Sequence, residues 1–253
     1  MDYFVVMFGI TIFVLMHTFY CREIINDIAL LDESESKHLS QVLRLNEGDI
    51  VKIIDGLGME WEGIVQQLNK KKTQIRLTNI LRKESIAPLC SIAICPTKNI
   101  DRFEYFLEKA TEIGICNIYP ILTKRSERKA INIERLDKII LNATKQSGNL
   151  FLPILHPLIS FKDFFEEIDL ASFTFKAMGH CVENKLRKSL NSTYKSGHNA
   201  LFLVRPEGDF TDDEIDKAII EGFESVVLGD SRLRVETAGI VACAQINFLN
   251  FKK

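Results

Sequence analysis

The sequence predicts an α/β protein preceded by a small antiparallel β-barrel. Three observations carry that reading. Between Asp49 and Leu81, apolar residues recur in short alternating runs broken by turn residues, as in an antiparallel sheet with one buried face. Between Lys83 and Leu89 the alternation is lost and Pro88 appears, which marks a linker. From Leu89 onward, continuous apolar runs of strand length alternate with stretches of helical period, the pattern of α/β construction. A chain of 253 residues has room for two domains, and the boundaries fall at residues 17–84 for the barrel and 89–253 for the α/β part.

Residues 1–16 are almost wholly apolar, with Asp2 the only charge. They lack the basic start and small-residue cleavage site of a secretory signal. Counted on to Cys21 they nearly reach the ~20 residues of a membrane span, so an anchor is one reading. The preferred reading is a start assigned upstream of Met16, or an apolar extension, because everything downstream reads as a cytosolic enzyme. No membrane association is expected.

In the barrel, Ile50–Ile54, Glu60–Leu68 and Thr73–Leu81 are the strand segments. Asp55-Gly56-Leu57-Gly58 is turn chemistry, since glycine takes positive φ without a Cβ clash. Lys70-Lys71-Lys72 is a second turn, read as a solvated hairpin tip in preference to a phosphate contact.

In the α/β part, Leu89–Cys95 is a buried parallel strand, and a helix follows from about Asn99 with Phe103, Phe106, Leu107, Ala110 and Ile113 on its apolar face. Gly114 stops it. A strand at Ile118–Leu122 and a helix over Asn132–Ser147, with Leu136, Ile139, Ile140 and Ala143 inward, continue the alternation. Phe173–Met178, Ala200–Val204 and Ser225–Leu228 are further strands. Thr211-Asp212-Asp213-Glu214 has the form of a capping box opening a helix with Ile215, Ala218 and Ile219 inward. A last helix runs from Thr237, with Ile240, Val241, Ala244 and Phe248 as its apolar stripe.

The composition excludes several classes. With 32 Lys+Arg against 34 Asp+Glu, 46% hydrophobic and 26% charged residues, the chain is neither a disordered tail, a collagen nor a polytopic membrane protein. A net charge of −2 still leaves room for a local basic groove. The six cysteines, at positions 21, 90, 95, 116, 181 and 243, include no Cys-x-x-Cys pair and lie mostly in apolar runs, as buried free thiols of a reducing cytoplasm do. His17, His38, His156, His180 and His198 are scattered, and no metal site is expected.

Ligands of an open parallel sheet bind beyond the carboxyl ends of its strands. Three such ends carry unusual residues: Met178-Gly179-His180, Arg205-Pro206-Glu207-Gly208-Asp209-Phe210, and Gly229-Asp230-Ser231-Arg232-Leu233-Arg234. Taken singly, each is equally an ordinary strand-to-helix turn. The chain contains no Gly-x-Gly-x-x-Gly, no phosphate-loop motif and no Gly-x-Ser-x-Gly elbow, which counts against classical dinucleotide binding and nucleophilic hydrolysis.

In combination the segments are far more specific. Pro206 to Thr211 with Glu214, then Leu228-Gly229, then Ser231 to Ala238, resemble the C-terminal half of the bacterial 16S ribosomal RNA uracil-N3 methyltransferases of the SPOUT superfamily. Lys98 with Asp101-Arg102, Glu108 to Gly114, Arg125 to Arg128, and Gln146-Ser147 with Pro153 extend the resemblance upstream. In the first domain His38-Leu39, Val42-Leu43-Arg44, Gly48-Asp49 and Asp55-Gly56 carry it, and Met16 to Tyr20 matches the family's usual opening.

The resemblance implies a SPOUT-type α/β domain with a C-terminal trefoil knot, preceded by a PUA-like barrel and paired as a homodimer through the knotted domain. It implies S-adenosylmethionine as methyl donor, held at three loops: Met178, Gly179 and His180; Val204, Arg205, Pro206, Glu207 and Gly208; Leu228, Gly229, Ser231 and Leu233. The acceptor would be N3 of a uracil in 16S ribosomal RNA, within the small ribosomal subunit, contacted by Arg22, His38, Arg44, Lys98, Arg102, Arg125, Arg128 and Gln146. A guanidinium would stabilise the charge left as N3 loses its proton, with Arg234 the first candidate and Arg125 the second. The competing reading of Arg234 is a loop-bracing bridge to Glu236 or Glu207. Those two carboxylates are equally acceptors for loop amides, so no general base is assigned. Two departures stand out. Arg205 replaces the family's usual glycine, either crowding the donor or pointing to solvent, and residues 148–152 lack its usual basic side chains, which Lys124, Arg125, Arg128 and Lys129 would replace, Arg128 and Lys129 reading equally as a solvated loop. The rival readings are an inactive RNA-binding relative and a methyltransferase for a different RNA.

Overall fold

The computed structural model describes residues 4–7, 10–13, 16–85, 89–180 and 187–251. The heart of the expected linker, with Pro88, lies outside the described residues, as does Cys181. Phe4–Met7 (β1) and Ile10–Phe13 (β2) pair as an antiparallel hairpin. Among the described residues no helix is long and apolar enough to cross a membrane. The chain divides into two compact units, Met1–Ile86 and Ala87–Lys253.

In the first unit, Thr18–Tyr20 (β3), Glu23–Ile25 (β4) and Ile28–Leu30 (β5) precede a short helix, Glu33–Lys37 (α1), that continues into a π-turn at His38–Val42. Asp32 caps α1 by accepting from the Glu35 amide at 2.8 Å. Ile50–Ile54 (β6), Met59–Gln67 (β7) and Gln74–Lys83 (β8) are the long strands, ordered with the short ones as β3-β6-β7-β8-β5-β4. Every pairing is antiparallel except β3 with β6. Alternation puts Val51, Ile53, Val65 and Ile75 inward against Phe19, Leu31 and Leu39. The buried Glu60 carboxylate takes two N–H groups of Arg82, at 2.7 and 3.1 Å.

The second unit is built on an all-parallel sheet. Cys90–Ile94 (β9) leads into Ile100–Ile113 (α2), then Asn117–Leu122 (β10) and Ile133–Ser147 (α3). The helices begin at Asn99 and Asn132, whose side chains accept N-terminal amides, and end at Gly114 and Gly148 in the left-handed region. Two-residue strands at Ile154–Leu155 (β11) and Ile159–Ser160 (β12) precede Phe161–Glu167 (α4). Phe175–Gly179 (β13), Lys188–Ser189 (β14), the single turn Leu190–Thr193 (α5), Ala200–Val204 (β15), Asp212–Ile220 (α6), Glu224–Val227 (β16) and Val235–Asn250 (α7) complete it. The order is β11-β10-β9-β15-β13-β16-β14, with β12 also on β10.

Strand alternation feeds two cores. Ile92, Ile94, Ala177, Phe202 and Val204 face α2, α3 and α7. Ala93, Cys95, Met178, Leu201 and Leu203 face the opposite layer, with Phe164 and Phe165 of α4 and Ile215 and Ala218 of α6. The capping box forms, with Thr211 Oγ1 accepting from the Glu214 amide and Glu214 Oε2 from the Thr211 amide.

Two helix faces differ from expectation. Ile219 is 46% exposed, because α6 turns only Ile215 and Ala218 inward. In α7 the buried stripe is Val235, Gly239, Ala242, Cys243 and Ile246, while Ile240, Val241 and Ala244 are half-buried and Phe248 is 80% exposed. This helix is apolar nearly all round, so periodicity does not select the inward face. Close approach does: a Cβ on Gly239 would stand 2.6 Å from Phe106 of α2.

Candidate functional site

The carboxyl ends of β13, β15 and β16 stand side by side, and beyond them opens a cleft of about 470 Å³, counting its mouth. Phe202, Val226, Val227, Leu228 and Leu233 give it apolar walls, and Gly179 and Gly229 leave backbone uncovered. A Cβ at Gly229 would meet nothing within 4 Å, so the loop presents its peptide groups to open space.

Eight of the twelve residues expected to hold a cofactor line this cleft: Gly179, His180, Val204, Arg205, Leu228, Gly229, Ser231 and Leu233. The other four do not. Met178 is one residue before Gly179 on β13, so alternation sends its side chain into the opposite core. Pro206, Glu207 and Gly208 turn away from the cleft toward the loops after β9 and β10. There Glu207 Oε1 accepts from the Lys98 amide at 2.9 Å, and Arg125 donates to the carbonyls of Gly208 and Phe210 at 2.9 and 3.4 Å. Gly208 permits this approach, since a Cβ there would lie 3.1 Å from that of Arg125. Asp209 closes the turn at φ 64°, a left-handed conformation that aspartate tolerates better than most residues.

Arg205 neither leaves the cleft nor fills it. Only 7% exposed, it donates to the Pro206 carbonyl at 3.1 Å and to the Leu233 carbonyl at 3.0 Å, joining the β15 and β16 loops. Arg187 donates to the His180 carbonyl at 2.8 Å, and Gln245 of α7 to the Leu228 carbonyl at 2.9 Å. Among the described residues the cleft walls carry Arg187, Arg205 and Arg232 and no carboxylate.

Arg234 supplies the residue before α7 and stays exposed, with no side-chain hydrogen bond or ion pair among the described residues. Neither bracing bridge forms. Glu207 is taken by the Lys98 amide, and Glu236 lies 4.0 Å from Arg102. Three of the residues expected at RNA gather beside the turned-away loop: Lys98, paired with Glu127 at 2.8 Å, Arg125, and Arg128, which donates to the carbonyls of Thr97 and Lys98 at 3.0 and 2.7 Å. Arg102 follows on the first turn of α2, while Gln146 is exposed on the last turn of α3 and joins none of these contacts.

Residues 148–152, where basic side chains were missed, are structural. Asn149 donates to the carbonyls of Thr111 and Glu112 at 2.6 and 3.2 Å, satisfying the end of α2, and Leu150 is buried. In the first unit Arg22 donates to the Tyr20 hydroxyl at 2.7 Å and shares a second cleft with Lys71 and Lys72. His38 is exposed, edge-on to Phe19, and Arg44 is exposed at φ 54°. Among the described residues no three histidine, cysteine or acidic side chains cluster as metal ligands.

Residues 83–247 match the family model for an RNA methyltransferase domain, and residues 31–78 that for an RNA methyltransferase PUA domain. The ribosomal RNA small subunit methyltransferase E of Rickettsia conorii is 30% identical over 223 residues, covering 88% of this chain and 90% of its own. The chain belongs to the ribosomal RNA small subunit methyltransferase E family. The Synechocystis member is 32% identical across 90% of this chain and 75% of its own. A probable rRNA methyltransferase of Porphyromonas gingivalis superposes with a TM-score of 0.81 at 32% identity, covering 93% of this chain and 98% of its own. The Neisseria gonorrhoeae methyltransferase E, solved bound to S-adenosyl methionine, superposes at 0.80 with 26% identity, covering 92% and 98%. The fold is thus the SPOUT-type α/β domain with a PUA-like sheet before it.

Sequence reasoning missed part of the methyltransferase cleft wall. Phe202 and Val226 were legible in principle, because Phe202 shares a strand face with Val204, and Val226 begins the run into Leu228. Arg187 carried no signal, since nothing in its sequence neighbourhood marks it as a cleft residue.

Proposed function

We propose that this protein transfers the methyl group of S-adenosylmethionine to N3 of a uracil in the 16S ribosomal RNA of the small subunit. The observation that carries this reading is the cleft at the carboxyl ends of three adjacent parallel strands, with apolar walls, uncovered loop backbone and cationic side chains. These residues fit the donor. Leu228, Leu233 and the peptide groups around Gly229 and Ser231 suit an adenine face and edge, and Gly179, His180 and Val204 complete the wall. When bound, the donor supplies an electrophilic methyl group on a sulfonium.

Uracil N3 lies on the pairing edge and carries a proton, so the base must be unpaired or flipped out. As that proton leaves to solvent, negative charge spreads over N3 and the two carbonyl oxygens. Arg234 is free to meet it, two residues beyond Arg232 at the cleft mouth. Arg125, whose guanidinium is held by the Gly208 and Phe210 carbonyls, serves first to position that loop. Lys98, Arg102 and Arg128 in the α/β unit, and Arg22, His38 and Arg44 in the PUA-like unit, form basic surface for phosphates. The unit boundaries belong to this reading, residues 17–84 serving RNA and 89–253 catalysis. The outer apolar face of α7, Val241, Ala244 and Phe248, is where two copies pair. The protein works in the cytoplasm, consistent with its buried free thiols.

The reading is tested in a strain lacking this modification. Expression of the protein should restore 3-methyluridine to the 16S ribosomal RNA, measured by nucleoside mass spectrometry. Its continued absence beside folded, expressed protein would refute the assignment.

A further inference from the structure

A guanidinium keeps its charge at any physiological pH, and withdrawing it from water is costly unless something replaces the lost solvation. Arg205 is such a group. It is nine-tenths buried, it borders the cleft, and among the described residues no carboxylate pairs with it. Two backbone carbonyls take two of its five N–H groups. They also fix the guanidinium between the β15 and β16 loops, so its orientation is set before any ligand arrives. Among the described residues the cleft walls hold no acidic side chain, so the ligand is the natural source of a counter-charge.

We propose that Arg205 is a carboxylate clamp for the amino-acid end of the methyl donor. This inference rests on the donor reading above and deepens it. Of the donor's parts, only the α-carboxylate is anionic, and a planar fork matches its two oxygens. With the carboxylate held by Arg205, the adenosine end lies toward the apolar walls, which fixes the direction in which the donor sits. Arg187 and Arg232, which also line the cleft, differ from Arg205 in being exposed.

The test compares ligands with and without the carboxylate. S-adenosylmethionine, S-adenosylhomocysteine and 5′-methylthioadenosine, which lacks the amino-acid chain, are titrated calorimetrically into the full chain and into Arg205→Gln and Arg205→Gly, with thermal melting to confirm folding. The clamp predicts that both variants lose roughly ten- to a hundredfold in affinity for the two carboxylate ligands, the range for a hydrogen bond to a charged group. Affinity for 5′-methylthioadenosine should stay within about twofold. Arg205→Lys, which keeps the charge without the fork, should recover part of the loss. Equal losses for all three ligands would make Arg205 a loop staple and overturn the clamp. Unchanged or tighter binding of S-adenosylmethionine in Arg205→Gly would overturn it too, and would show that the side chain only narrows the cleft. If the unaltered protein bound none of the three, the donor reading itself would fall, and the clamp with it.

Discussion

Arg234 stands exposed just before α7 and bridges neither Glu207, which takes the Lys98 amide, nor Glu236, which lies 4.0 Å from Arg102. Its removal therefore costs little structure and much chemistry. Arg234→Ala should lower methyl transfer by at least about a hundredfold, the usual loss for one group stabilising a developing oxyanion, while donor affinity changes only a few-fold. Comparison of single-turnover rates with calorimetry checks this, and a variant with normal turnover removes Arg234 from the mechanism. The thiols make a second residue-scale prediction. Burial pushes Cys95 up to about 12 and Cys21 up to about 11, which leaves almost no thiolate at neutral pH. Both should resist alkylation in the native protein and label only on unfolding, as read by peptide mass spectrometry. At this scale the cleft wall was legible at the strand ends and in the loops just after them. It was illegible at Met178, one position out of phase, and at Pro206 to Gly208, whose turn is drawn away by Lys98 and Arg125.

Helix starts were readable because capping uses local chemistry. Asn99, Asn132 and Thr211 all accept amides of their own first turn. Thr211→Ala should cost about 0.5–2 kcal/mol in urea unfolding. Glu214→Ala should cost more, because its second oxygen also takes the Lys124 amide at 2.7 Å and so ties α6 to the loop after β10. The inward face of α7 was not readable, since a helix apolar on most sides offers no contrast. Only the close approach of Gly239 to Phe106 selects it. Gly239→Ala sets two effects against each other. Helix propensity gains about 1 kcal/mol, but overpacking against a fully buried ring costs about 1–3 kcal/mol. Net destabilisation is expected, and stabilisation would show that α7 shifts freely on α2.

For the whole molecule, two units with different periodicities were legible as a change from alternation to α/β runs, because each periodicity reports one kind of buried face. The open order of the PUA-like sheet, with its single parallel pair, was not, since it depends on which distant strands meet. The end of α7 bears on assembly. Phe248 and Phe251, at one end of the helix, are 80% and 79% exposed, and the proposed pairing would cover them. Light scattering should show a dimer, and Phe248→Glu should shift it toward monomer with loss of methyl transfer. A monomer with full activity would contradict the pairing. The central claim is tested most directly with purified protein, labelled S-adenosylmethionine and small ribosomal subunits from cells lacking the modification. The account predicts about one methyl group per subunit, at N3 of a single uridine, where it blocks base pairing and stops reverse transcription. Tight donor binding without any transfer to ribosomal RNA would contradict it and leave an RNA-binding relative that has lost its chemistry.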